Sequence, residues 1–169
     1  MQNNTTLKDL TKDAKIVLIL FLTTISIGIF TGLCYVYLTT NMSTTGTVEQ
    51  FNGPAQDESE DNWDSWEEPI KTGKYIHDML NTTHNHVITF SIISLLISCI
   101  FYFNSIIKGK LKLFLMTEPF FSTVVTFGSL WIMRYFNEVF VYIVIFSAVI
   151  MYICWYIMIL ISIIDLIKK

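Results

Sequence analysis

The sequence is short of charge. Asp, Glu, Lys and Arg make up 15% of its 169 residues, where a soluble domain carries about 25%. It also lacks any clustering of cysteine. Cys34, Cys99 and Cys154 sit singly in separate apolar runs, with no CxxC pair. That excludes a zinc ribbon and a disulfide framework, and leaves three small hydrophobes. The net charge is −3, with no basic patch, so no nucleic-acid partner is expected. There is no nucleophile elbow, Walker loop, HExxH or nucleotide fingerprint, and no soluble domain in which such a motif would work. An enzyme is therefore not expected.

What the chain does have is long apolar runs. Hydrophobic residues reach 53%, gathered into stretches near the length of about 20 residues that crosses a hydrocarbon core. Four spans are predicted, at about 16–38, 84–104, 111–134 and 139–164. They form one transmembrane domain over 1–169. The first run is too long for a signal-peptide core and reads as a retained span. Helices are required, because only they close their own backbone bonds in lipid. Four of them predict an all-α antiparallel bundle. Lys108, Lys110 and Lys112 crowd one connection and Lys168 and Lys169 end the chain. Basic short loops stay in the cytoplasm, which predicts both termini inside. Trp131, Tyr135 and Phe136 then fit an aromatic belt at the outer boundary. Residues 39–81 become a long extracytoplasmic loop, read as mostly irregular, with the acidic stretch DESEDNWDSWEEP at 57–69. That stretch is a solvated face or a docking site for a basic partner.

Within the first span, Thr24, Gly28 and Gly32 recur every fourth residue. This spacing predicts close helix packing.

The stretch Lys74–Phe103 holds all three histidines, His77, His84 and His86, and then turns apolar. A helix starting near Ile76 would align His77 and His84, seven apart, with Ser91, Ser98 and Ser105. That polar stripe should face the bundle interior. His86 lies about 200° from His84 around a helix, so the two cannot chelate from one face. Three readings stay open: interfacial capping, a pH sensor, and a metal or haem site. A metal site would add a carboxylate such as Asp78 and suit copper, zinc or iron. A haem would take one histidine as axial ligand and would need a second ligand from outside this set.

Glu118 lies about 10 Å into the third span and is followed by Pro119, with Ser122, Thr126 and Ser129 continuing its face. It reads either as a proton or cation step or as a hydrogen-bonded carboxyl that fixes packing. Arg134 and Glu138, four residues apart, predict a salt bridge across the outer turn. Alternatively Arg134 faces the level of His84 and His86 and binds an anionic group. Asp165 is expected to be emerging into water.

Four motifs, VEQFNG (48–53), NTTHNH (81–86), TEPFFS (117–122) and TFGSLW (126–131), carry a resemblance. On them the chain resembles, end to end, a family of small four-span bacterial inner-membrane proteins of uncharacterised function. The resemblance implies that Gly53, His84, His86, Glu118, Pro119, Gly128 and Arg134 matter, with Gly128 added to the packing positions. It also implies a multi-pass inner-membrane protein whose loop is periplasmic. The favoured function is a non-enzymatic accessory or assembly protein with a polar site at its outer rim. The alternatives are a haem- or metal-binding subunit and a small proton- or ion-conducting protein using Glu118. The partners expected are the bilayer, and other membrane proteins or a second copy.

Overall fold

A computed structural model describes residues 6–53 and 73–168. The described chain is helical and contains no strand. The acidic stretch 57–69 lies outside the described residues.

Four long apolar helices are present: α1 (Lys12–Thr40), α3 (Ile76–Tyr102), α4 (Gly109–Tyr135) and α5 (Val141–Ile167). Their ends follow from local chemistry. Thr11 accepts from the Ala14 N–H to cap α1, and Asn41, in the left-handed region at φ 49°, closes it. Asn and Gly tolerate that conformation best. Gly109, at φ +71°, makes the sharp entry into α4 that a residue with a Cβ would resist. Asn137 caps the 3-10 turn Glu138–Phe140 that feeds α5.

The expected irregular loop needs one correction. A fifth helix, α2 (Thr44–Asn52), lies within it, capped by Ser43. Its Thr- and Gly-rich sequence has weak intrinsic propensity. Tertiary packing supplies the rest, since Val48 and Phe51 rest on Leu130, Met133, Val141 and Val144. The second long helix starts at Ile76, ahead of all three histidines.

Two ends of the bundle are defined by contacts. Asn52, Lys74, Arg134 and Glu138 meet at one, here the loop end. Lys8, Phe103, Ser105 and Asp165 meet at the other, the lysine end. Helices α1 and α4 therefore run opposite to α3 and α5. Helix α5 touches each of the other four. Its face Met151, Cys154, Trp155, Met158 and Ile159 is buried against Ile97, Phe101 and Leu115. By contrast, α1 buries only Leu22, Ile29 and Thr40 and is the peripheral helix.

The expected packing through Thr24, Gly28 and Gly32 is not made within one chain. Thr24 and Gly28 are exposed, and a Cβ at Gly28 would meet open space. Gly32 has only the Tyr152 hydroxyl at 4.0 Å, and Gly128 also faces open space. The reason is that α1 turns its Leu22/Ile29 face to α5, leaving the small residues outside.

Candidate functional site

At the loop end, Arg134 sits in the last turn of α4, where a cation suits the helix dipole. Its Nη1 donates to the Asn52 carbonyl at 3.5 Å and its Nη2 to the Lys74 carbonyl at 3.3 Å. Those two carbonyls flank the acidic segment on either side. The Lys74 N–H donates to the Phe51 carbonyl at 2.9 Å, and Asn52 Nδ2 donates to Glu138 Oε1 at 3.1 Å. Gly73 is required here. A Cβ would collide with the Asn52 carbonyl oxygen and come within 2.8 Å of Arg134 Nη2. Lys74 Nζ lies 4.5 Å over the Phe51 ring. Burial pushes its pKa down, opposed by the charge of Asp78. Two cations thus stand at the root of the acidic loop. Arg134 Nε and Asn52 Oδ1 are buried there without partners among the described residues.

The expected Arg134–Glu138 salt bridge is corrected. The i, i+4 rule holds inside a helix, but α4 ends at Tyr135, between the two residues. Arg134 turns to the loop stem instead, and Glu138 accepts from Asn52.

The histidines do not converge. His77 and His84 are exposed. His77 Nδ1 lies 3.7 Å from the Asp78 carboxylate, at the surface. His86 Nδ1 lies 2.8 Å from the Thr82 carbonyl. A carbonyl only accepts, so Nδ1 carries the proton. The His86 ring packs at 5.4 Å on Phe90 and 5.6 Å on Phe127. None of these contacts involves Arg134, so the rim is not built from His84, His86 and Arg134. Among the described residues, no group of three or more His, Cys, Asp or Glu is placed to hold a metal ion. The expected His77, His84, His86 and Asp78 ligand set for a metal ion is not assembled among the described residues. The polar stripe fails for a helical reason. A seven-residue repeat drifts about 20° per step on a straight helix, so the row is exposed at His77 and His84 and buried at Ser98. Ser105 lies beyond the end of α3.

Glu118 is 9% exposed. Ser122 Oγ donates to its Oε1, its Oε2 is buried without a protein partner, and the Cys154 thiol faces the carboxyl. The expected face continues through Ser122, Thr126 and Ser129, all buried. Thr126 and Ser147 hydroxyls pair at 2.7 Å. Ser98 donates to the Met116 carbonyl at 3.2 Å, and Trp155 Nε1 donates to Ser94 Oγ at 3.0 Å. Hydroxyls between helices act as interhelical glue in lipid. This seam joins α3, α4 and α5.

At the lysine end, the expectation for Asp165 is overturned: it is fully buried. Its carboxylate accepts from the Ser105 N–H at 2.8 Å and the Ser105 hydroxyl at 2.7 Å, with Lys8 Nζ at 3.9 Å. Leu7 is buried and its N–H donates to the Phe103 carbonyl at 3.0 Å, so the N-terminal turn covers Asp165. Lys112 Nζ donates to the carbonyls of Tyr102 and Asn104 at 2.6 and 2.9 Å. The signal in sequence was an Asp followed by two more apolar residues, three residues after Ser162.

Four long apolar helices in an antiparallel bundle, tied at both ends by polar contacts, define a multi-pass integral membrane protein in contact with lipid. Residues 41–169 match a family described as a transmembrane helical domain, and the chain belongs to that family. The matched region runs from α2 through α5 and leaves out α1, the helix with least burial. No curated protein and no solved structure matches the chain.

Proposed function

We propose that this is a non-enzymatic accessory or assembly protein of the bacterial inner membrane, working through the rim at its loop end. The carrying observation is Arg134, which reaches the carbonyls of Asn52 and Lys74. Those residues bracket a segment in which Asp57, Glu58, Glu60, Asp61, Asp64, Glu67 and Glu68 outnumber a single basic residue, Lys71. Fixing Asn52 and Lys74 together lowers the entropic cost of a binding event that uses the segment between them. Its charge selects a basic segment of another membrane protein, through electrostatics that weaken with salt. In this reading the loop end faces the periplasm, and the lysine-rich end the cytoplasm.

The test replaces the seven carboxylates with their amides. Membranes in mild detergent are then run on native gels. The reading expects the higher-mass assembly to lose this chain. An unchanged assembly overturns it.

A second reading is favoured by one observation, the buried, unpartnered Oε2 of Glu118. It makes Glu118 the proton or cation step of a conducting protein. Flux into liposomes that is equal for wild type and Glu118→Gln removes this reading.

A further inference from the structure

Helix α3 presents an unusual face to the lipid. Asn81, Asn85, Ile88, Ile92, Leu95 and Cys99 are all exposed, with the three apolar residues between 47% and 54%. Their spacing is four, three, four, three, four. That alternation is the a/d seam of a left-handed helix pair, in which knobs of one helix fill holes of another. The seam lies on the side of α3 away from its buried residues Ser94, Ile97, Ser98 and Phe101.

The depth of the seam makes it more than a lipid-facing surface. Trp131 Nε1 donates to Thr83 Oγ1 at 2.8 Å, which puts Thr83 level with an interfacial tryptophan. The His86 ring sits against Phe127, about one turn further in. Asn85 lies between these levels, where α4 shows aromatic and aliphatic side chains. Its Nδ2 donates to Asn81 Oδ1 at 3.0 Å, a bond that leaves one N–H and the oxygen of Asn85, and both N–H groups of Asn81, still to be satisfied. Amides facing hydrocarbon are costly unless another group meets them. The apolar part of this face, from Ile88 to Tyr102, spans only about 22 Å at 1.5 Å per residue, short of the roughly 30 Å core. The outward faces of α1 and α5 carry no such amides.

We infer that this face is the interface with a second copy of the chain, the two α3 helices packing in parallel about a two-fold axis along the membrane normal. Such an axis sets each seam residue against its own copy. An amide carries both donor and acceptor, so an Asn meeting itself is complementary. Asn at a seam position is also the residue that fixes parallel register and a two-chain state. Beyond Asn81, Asp78 takes the next seam position with His77 beside it at 3.7 Å. This interface lies on a different surface from the rim and does not depend on the rim's function.

The native Cys99 gives the test. At interaxial distances of 8–10 Å, two facing seam cysteines come within disulfide reach. The full-length protein in its own membranes is treated with a membrane-permeant copper oxidant and run on non-reducing gels. The expected result is a covalent dimer that Cys99→Ser abolishes and that Ile92→Cys, placed in the Cys99→Ser chain, restores. Phe121→Cys in the same background, on the lipid face of α4, gives none. Asn81→Leu with Asn85→Leu keeps the fold, read from the unfolding midpoint, and weakens dimerisation about tenfold. Three results overturn the inference: monomer throughout, equal dimer from the Phe121 position, or Cys99 linked to a different protein. The amide substitutions in the acidic loop leave this dimer intact, so its failure is distinguishable from that of the rim.

Discussion

The two ends of the bundle are closed by opposite means. At the lysine end a carboxylate does the closing. Asp165 is buried, receives two short bonds from Ser105, and is covered by the N-terminal turn. Lys8, 3.9 Å away and partly exposed, adds under about 1 kcal/mol, so the holding comes from Ser105. At the loop end a cation does the closing, through long contacts to backbone carbonyls, and leaves Arg134 Nε and Asn52 Oδ1 without partners among the described residues. The first arrangement gives both Asp165 oxygens partners and holds the fold, although Asn104 Nδ2 beside it is buried without a partner among the described residues. The second leaves a donor and an acceptor without partners among the described residues, on the residues that flank the acidic segment in sequence.

The largest effect is expected from the lysine end. Asp165→Ala strands the Ser105 N–H and hydroxyl inside the protein and should lower stability by about 3 kcal/mol. Unfolding in mixed micelles measures it, and a midpoint equal to wild type would remove the contrast between the ends. Gly73→Ala comes next. The added methyl meets the Asn52 backbone, and overpacking of this kind costs about 1–3 kcal/mol. Protease nicking of the loop should speed up while the bundle midpoint moves less than in Asp165→Ala. Arg134→Ala is smaller still in stability, about 1 kcal/mol, yet it should free both feet of the loop. Glu118→Gln keeps volume and the bond from Ser122, and its midpoint should stay within about 1 kcal/mol of wild type. The smallest effect is local. Bonds from the Thr6 N–H and hydroxyl hold the pKa of Asp9 below its usual 3.8. A lowered acid stabilises above its unfolded pKa and loses that contribution as pH falls through the folded one. The turn Leu7–Asp9 should therefore loosen only in acid below about pH 4, read as faster amide exchange at Leu7.

Much of the fold was legible because hydrocarbon imposes length. The four long helices follow from apolar runs, and the buried face of α4 from Glu118, Ser122, Thr126 and Ser129. What was illegible depended on tertiary partners. Helix α2 has too little periodicity to announce itself and is held by Phe51 and Val48 against α4 and α5. Asp165 looked like a residue leaving the membrane, because nothing in sequence places Ser105 beside it, 60 positions away. The histidine stripe misled because a heptad row precesses on a straight helix. Arg134 lies at the loop end of the bundle, and its partners are backbone carbonyls, which no side-chain pattern encodes.

The contrast between the ends stands most directly on one measurement, photo-crosslinking from position 66 in the acidic loop, compared in cells between wild type and Arg134→Ala at equal amounts of folded protein. The account predicts discrete crosslinks to a basic segment of another membrane protein in wild type and their loss in Arg134→Ala, with the unfolding midpoint nearly kept. Identical crosslinks in both chains would contradict it.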